Sequence, residues 1–357
     1  MAEHTELYCA NIDLYSISVL PSRNRSCILD SIVRTGSSFY ESDFKRQSVV
    51  MEEFYMQKVS GEHVVYAFSP DMTPVLEVES GEIVHFESND CFYQQVQMES
   101  HVLDGIDHDR LNPATGPVYV RGAEPGDLLR VDILAIDVQA QGVAAVVPGE
   151  GILSEEAKEA IVRVIPVENG EAVFKGIRLP LRPMIGVIGV APGDEDGPCP
   201  TDTPFRHGGN MDTNEIVKGH TVYFPVRQPG ALFALGDCHG LMGDGEICFT
   251  GLEIPADVFV RLTVVKNKRA VWPILQTADA TQIIASGSTL EAALKDAMKV
   301  AVDLLAASFS LMWEDAYLLA SLTVDAKISQ VVDPLVTVRA SIPKWLVSTE
   351  ALLAELT

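Results

Sequence analysis

From about residue 60 to 190 the chain alternates apolar and polar residues in short runs, each stopped by turn-forming residues. PVLEVESGEIVHFES breaks at a Ser-Gly pair, GDLLRVDILAIDVQ opens on Gly126 and Asp127, and EAVFKGIRLPL repeats the pattern further on. Alternation with period two presents one face of a strand to a core and the other to solvent. Many short strands at this spacing predict sandwich- or barrel-like subdomains and argue against a doubly wound parallel sheet. Between these runs, NPATGPVYVRGAEPGD reads as proline and glycine turns around one short strand, VYV. Neither GxGxxG nor a P-loop occurs, so the sequence makes no case for a nucleotide.

The period changes near the C-terminus. Ser288 and Glu291 form an S-x-x-E capping box, and Leu290, Leu294, Ala297, Ala301 and Leu305 then recur on one helical face. A second helix is expected from Trp313 to Ser321, followed by a strand at AKISQVV. The expected fold is therefore β-rich α+β: sandwich- or barrel-like subdomains of short strands with a small C-terminal α/β part. Residues 1–50 are polar and weakly periodic, with clusters such as PSRNRSC, and read as an N-terminal extension of unknown order or an ordered cap. Residues 51–265 form the β-rich core, and 266–357 the α/β portion that completes the same catalytic unit.

With 26 basic against 50 acidic residues the net charge is −24. Such a field repels nucleic acid and anionic membrane surfaces, so neither is an expected partner, while small neutral molecules are unaffected. Six scattered cysteines without a CxxC pair argue for reduced thiols and a cytoplasmic setting. No run reaches the roughly 18 apolar residues that span a bilayer.

Chemistry concentrates in FALGDCHGLMGDGEIC, residues 233–248, read as a glycine-punctuated hairpin. Asp237 and His239 stand two apart, so in a strand both reach one face and can converge. Asp244 and Glu246 follow at a tip, and Glu253 comes on the next strand. This suggests a metal-assisted or acid/base hydrolytic centre; the plainer reading is an acidic solvated hairpin with a stray histidine. Earlier donors beside glycines are Asp90 and the stretch His207, Gly208, Gly209, Asn210, Asp212, which ends a long loop (191–210) poor in apolar residues. Turn geometry alone also accounts for Asp90, His207, Asn210 and Asp212, and an ion pair for Glu253. Cys91 has acidic neighbours that raise a thiol pKa, so a small buried hydrophobe suits it better than a nucleophile.

NDCF, NPATGP, GAEPGD, HGGNMDTNEI, GDCHGLMGDGE and GLEIPADV, in this order, resemble the acetamidase/formamidase family from about Met51 to Val347. The resemblance implies hydrolysis of the C–N bond of small linear amides to a carboxylate and ammonia, with a cyclic-amide (lactam) hydrolase or a non-catalytic ion- or ligand-binding protein as alternatives. It further implies a divalent metal, zinc or else calcium, a small neutral amide substrate, and a homo-oligomer. The family's segments map onto His207, Asn210, Asp212, Asp237, His239, Asp244 and Glu246; taken with the donors read above, Asp237, His239, His207, Asp212 and Glu253 are the expected metal ligands. Glu246, Asp90 and Asn210 are the expected catalytic residues, and Gly208, Gly209 and Asp244 the substrate contacts. Backbone N–H groups of Gly208 to Asn210 are expected to form an oxyanion hole. Cys238 within GDCH and Phe249 within ICFTG depart from the family pattern, and a bulky Phe249 beside Glu246 bears on substrate size.

Overall fold

The computed structural model describes residues 56–101 and 105–357; the expected extension at 1–50 lies outside them. Strands dominate. A nine-stranded sheet has Ile83–Ser88, Ala256–Val265, Leu128–Val138 and Thr221–Pro225 at its centre, then continues through Ile274–Gln276, Ala280–Gly287 and Val336–Pro343 to the edge strand Asp325–Gln330. It therefore runs across residue 265 without a break. A six-stranded sheet is built around Met184–Gly189, Phe233–His239 and Ala114–Val120.

The two sheets face each other through one apolar layer. Phe86, Val131, Ile133, Val258, Val260 and Leu262 from the larger meet Val118, Ile185, Ile188, Phe233 and Leu235 from the smaller. Period-two burial in Ala256–Val265 shows why: every second residue is buried, as the alternation predicts. A four-stranded meander, Gln141–Val146 to Ile177–Pro180, adds a smaller subdomain.

Two helices, α1 (Leu290–Phe309) and α2 (Trp313–Thr323), join a C-terminal turn of helix, α3 (Thr349–Ala354), over the far end of the larger sheet. Their core partners are Ile283, Ala285, Val338, Ala340 and Ile342. The α1 cap is Thr289, whose side chain accepts from the Ala292 N–H at 3.1 Å, one residue after the expected Ser288. Leu290 consequently stands at the exposed start of the helix, and Ala293, Ala297, Ala301 and Leu305 carry the buried stripe.

Three local expectations change. ATGP lies inside the strand Ala114–Val120, because pairing with Phe233–His239 absorbs the proline at a register shift. HGGN does not close a loop: Gly208–Asn210 is a strand paired with Val187–Gly189. The glycine-punctuated segment is one buried strand, Phe233–His239, followed by tight turns, and its return is a single antiparallel bridge between His239 and Glu253.

Candidate active site

That bridge gathers the chemistry. His239 Nε2 lies 3.2 Å from Glu253 Oε2 and 3.4 Å from Asp237 Oδ1. It lies 3.8 Å from Asp212 Oδ1 and 3.9 Å from Glu246 Oε1. All five side chains are buried. Asp237 and His239 do converge, although Asp237 has φ +51° and bends the strand end. Asp212 (φ +37°) and Glu246 (φ +47°) share this left-handed conformation, which costs a non-glycine residue roughly 1–3 kcal/mol. Such strain persists only where the surroundings over-determine it.

Two glycines make the room. A Cβ on Gly186, in the strand beside Asp237, would collide with Asp212 Oδ1 and lie 2.7 Å from Asp237 Oδ2. A Cβ on Gly251 would lie 2.7 Å from His239 Nδ1. The Gly251 N–H donates to Glu253 Oε1 at 2.7 Å, which fixes that carboxylate.

The electrostatics follow from burying so many acids together. Burial, then the charge of Asp237, raises Asp212 to about 7. Burial raises Glu253 to about 7 against the opposing pull of His239. Glu246 is pushed well above its ordinary value by burial and by Asp212. Burial works against a charged His239, but Glu253 and Asp237 outweigh it and raise the imidazole well above its ordinary value. Asp90 is raised to about 6 by burial, although its Oδ1 accepts from the Gln94 N–H at 2.7 Å.

Both Asp212 oxygens, Asp237 Oδ1 and Glu253 Oε2 are buried without a hydrogen-bond partner, and they surround His239 Nε2. Several unsatisfied oxygens and an imidazole, with negative charge in excess, form a donor set that suits a divalent cation. The residues fit such an ion.

The other expected residues have surroundings of their own. Burial pushes His207 down to about 3, and its ring packs against Phe68 with centroids 5.0 Å apart. Both ring nitrogens of His207 are buried without a hydrogen-bond partner. Asp244 bonds to Arg339 Nη2 at 2.6 Å and is half exposed. The Gly208 N–H donates to the Phe205 carbonyl at 3.1 Å, which removes it from any oxyanion hole, and Gly209 pairs with Ile188. Asn210 is buried with Oδ1 unpartnered. Cys238 points into the core between the sheets, so that departure is a matter of packing. The Phe249 N–H donates to the Glu246 carbonyl at 2.9 Å and closes the turn that carries Glu246.

Sequence reasoning missed three participants. Cys91 is half-buried with its sulfur beside the Asp237 and Glu253 carboxylates, not a lone hydrophobe. Burial and Glu253 raise its thiol well above the ordinary value, which agrees with the case against a thiolate. Asp333, in the VVDP turn, is raised by burial and by Asp212. Gly186 carries no local signal, since its role depends on what lies across the sheet.

Comparison with known proteins gives the family of the chain. The Acetamidase/Formamidase family model matches residues 55–196 and 198–347. The crystal structure of a predicted acetamidase/formamidase from Thermoanaerobacter tengcongensis is 42% identical with a TM-score of 0.79, covering 82% of this chain and 97% of that one. An acetamidase from Bacillus halodurans is also 42% identical with a TM-score of 0.79, covering 81% and 98%. Formamidase from Methylophilus methylotrophus is 26% identical over 261 residues, 56% of this chain and 63% of that protein. The chain spans just under two thirds of the length of the curated relatives it matches. Strand-rich sheets, a matching solved fold and a family model that covers most of the sequence agree: the chain belongs to the acetamidase/formamidase family.

Proposed function

We propose that this chain hydrolyses small linear amides of the formamide or acetamide type to a carboxylate and ammonia, and that residues 51–265 and 266–357 act as one catalytic unit. The observation that carries the reading is the buried group of Asp212, Asp237, His239, Glu246 and Glu253 around one point. The Formamidase and Acetamidase relatives support the same reaction class. In this reading Asp212, Asp237, His239 and Glu253 hold a divalent ion, zinc or calcium. When bound, that ion lowers the pKa of water and polarises the substrate carbonyl.

The chain's own groups manage protons and position. Asp90, at about 6, suits a general base near neutral pH: it takes a proton as the water oxygen bonds to the carbonyl carbon. Glu246, kept protonated by burial and Asp212, donates to the amide nitrogen as the C–N bond breaks, so ammonia leaves as a neutral molecule. Asn210 Oδ1, buried and unpartnered, accepts from the substrate –NH2.

The test is ammonia release from formamide, acetamide and a five-membered lactam, with elemental analysis of the purified protein. Turnover of the linear amides that is lost on chelation and restored by the metal found supports the reading. Turnover of the lactam alone, or no turnover with the metal replete, overturns it.

A further inference from the structure

Cys91 follows the strand Ile83–Ser88 in a turn that is pinned at several points. The Tyr93 N–H donates to the Asp90 carbonyl at 2.9 Å, and the Gln94 N–H to Asp90 Oδ1 at 2.7 Å. The Asn112 N–H donates to the Cys91 carbonyl at 2.8 Å. Phe92 is buried in a small apolar cluster with Val96, Val143, Ala145 and Val162, and Cys91 packs against it. The turn thus delivers the sulfur to a fixed place, where one ligand atom each of Cys91, Asp237 and Glu253 lies within 4.8 Å of the other two. Glu253 is fixed in its turn by the Gly251 N–H and by its bridge to Val143.

Two oxygens of these carboxylates, Asp237 Oδ1 and Glu253 Oε2, are buried without a hydrogen-bond partner. They lie 3.4 and 3.2 Å from His239 Nε2, so sulfur, oxygen and nitrogen donors border one small volume. The other described cysteines differ. Cys238 belongs to the apolar layer between the sheets, and the Cys199 and Cys248 thiols donate to the backbone carbonyls of Gly197 and Ala145.

We propose that Cys91 is a sulfur ligand to the ion held by Asp237, His239 and Glu253, and that it makes the site select a thiophilic cation of the zinc type over calcium. This rests on the metal-assisted reading and adds to it the residue that sets ion identity. Carboxylates alone suit calcium, which takes about six to eight oxygen ligands, whereas a thiolate beside an imidazole suits zinc. On binding, the S–H bond breaks, a sulfur lone pair forms the bond to the ion, and the proton passes to the buffer; nothing is oxidised or reduced. The acids that keep the free thiol protonated do not oppose this. A divalent charge among them reverses the local field, and a coordinating thiol loses its proton outright. The competing role for the sulfur is a plain hydrogen bond from the thiol to the Glu253 carboxylate.

The experiment loads the chelated full chain with cobalt(II), a coloured substitute for zinc, in the wild type, Cys91→Ser and the control Cys248→Ser. The expected result is a near-ultraviolet sulfur-to-cobalt charge-transfer band that grows in proportion to the cobalt retained. The band persists in Cys248→Ser and is absent from Cys91→Ser, which still retains cobalt by elemental analysis. Calorimetric titration should show the preference for zinc over calcium falling by about tenfold or more in Cys91→Ser, the least that loss of even an outer-shell partner costs. If Cys91→Ser does not fold, Cys91→Ala takes its place. The nuclear resonance of cadmium bound to the wild type, which moves far downfield for a sulfur ligand, reads the same contact without any substitution. Cobalt retained by the wild type without the band, or a band undiminished in the folded variant, overturns the proposal and leaves the ion of the hydrolytic reading in place. A wild type that retains no ion overturns both.

Discussion

Asp212 carries two buried, unpartnered oxygens at a left-handed backbone position, directly beside a histidine and three other acids. Without a cation its folded-state value near 7 stands above the ordinary 3.8. Between those two values the folded protein holds a proton that the unfolded chain has released, so this residue's contribution to stability falls as pH rises through that window. Asp212→Asn removes the slope. The expected outcome is a chelated variant more stable than chelated wild type above pH 7, by on the order of 2 kcal/mol, with the advantage vanishing near pH 4. Amide turnover in the metal-loaded variant is expected to drop by about 10²-fold or more. Melting curves of both proteins from pH 4 to 8 check the first half, and parallel curves would refute it. At this scale the sequence was legible wherever spacing carries geometry. Asp237 and His239 converge as residues two apart on a strand, and Glu253 returns through one bridge. It was illegible where the partner is distant in the chain. Nothing in PMIGVIG announces that Gly186 must yield space to two carboxylates, and His207 beside Gly-Gly looks the same whether it meets a metal or Phe68.

Elements carry a second kind of information, since one side chain of the C-terminal sheet reaches toward the turns bearing both Glu246 and Asp212. Arg339 is fully buried on the strand Val336–Pro343, where Val338, Ala340 and Ile342 face the helices. Its guanidinium bonds Glu215 at 2.8 Å, Asp244 at 2.6 Å and the Ile328 carbonyl at 2.7 Å. Glu215 follows Asp212 by three residues and Asp244 precedes Glu246 by two, so Arg339 fixes both approaches to the site. Although burial opposes it, bonding from Gln282 and the charges of Arg339 and Lys327 hold Glu215 below its ordinary value. That contribution to stability is present above the unfolded carboxylate range and lost as pH falls through the depressed value. Arg339→Met leaves the half-buried Glu215 without its main counter-charge. It is expected to cost about 3–5 kcal/mol in denaturant unfolding, and Arg339→Lys to recover only part of that because an ammonium cannot span both carboxylates. A loss below about 1 kcal/mol in Arg339→Met would remove the residue from this role. Helix α1 and its apolar face were readable from period and cap to within a residue. The strand at ATGP was not, because sheet pairing overrode local turn propensity.

For the whole molecule, alternation was enough to foresee two apolar sheet faces meeting, but not which strand lies beside which. Ile83–Ser88 pairs with Ala256–Val265, and Leu128–Val138 with Thr221–Pro225, over separations that no local pattern encodes. The site stands where those long-range choices intersect. Asp237 and His239 come from the middle of the smaller sheet, and Glu253 bridges to Val143 of the meander as well as to His239. Asp333 sits between the last two strands of the larger sheet. A cation held there would join all three sheets, and one that binds only the folded chain stabilises it by mass action. The gain is about 2.7 kcal/mol at a free concentration one hundred times Kd. Calorimetric melting of chelated protein titrated with zinc, and separately with calcium, should therefore show Tm rising with the logarithm of concentration for the ion that fits. A single cooperative transition moving as a unit is expected, because the buried layer between the sheets links the site to the core. Charge screening lifts Tm as well in a chain of net −24, but magnesium at equal ionic strength reproduces that part and not the rest. Zinc and calcium curves that coincide with the magnesium curve would mean that the buried carboxylates are relieved by protons instead of by an ion, and the hydrolytic reading would then have to rest on Asp90 and Glu246 alone.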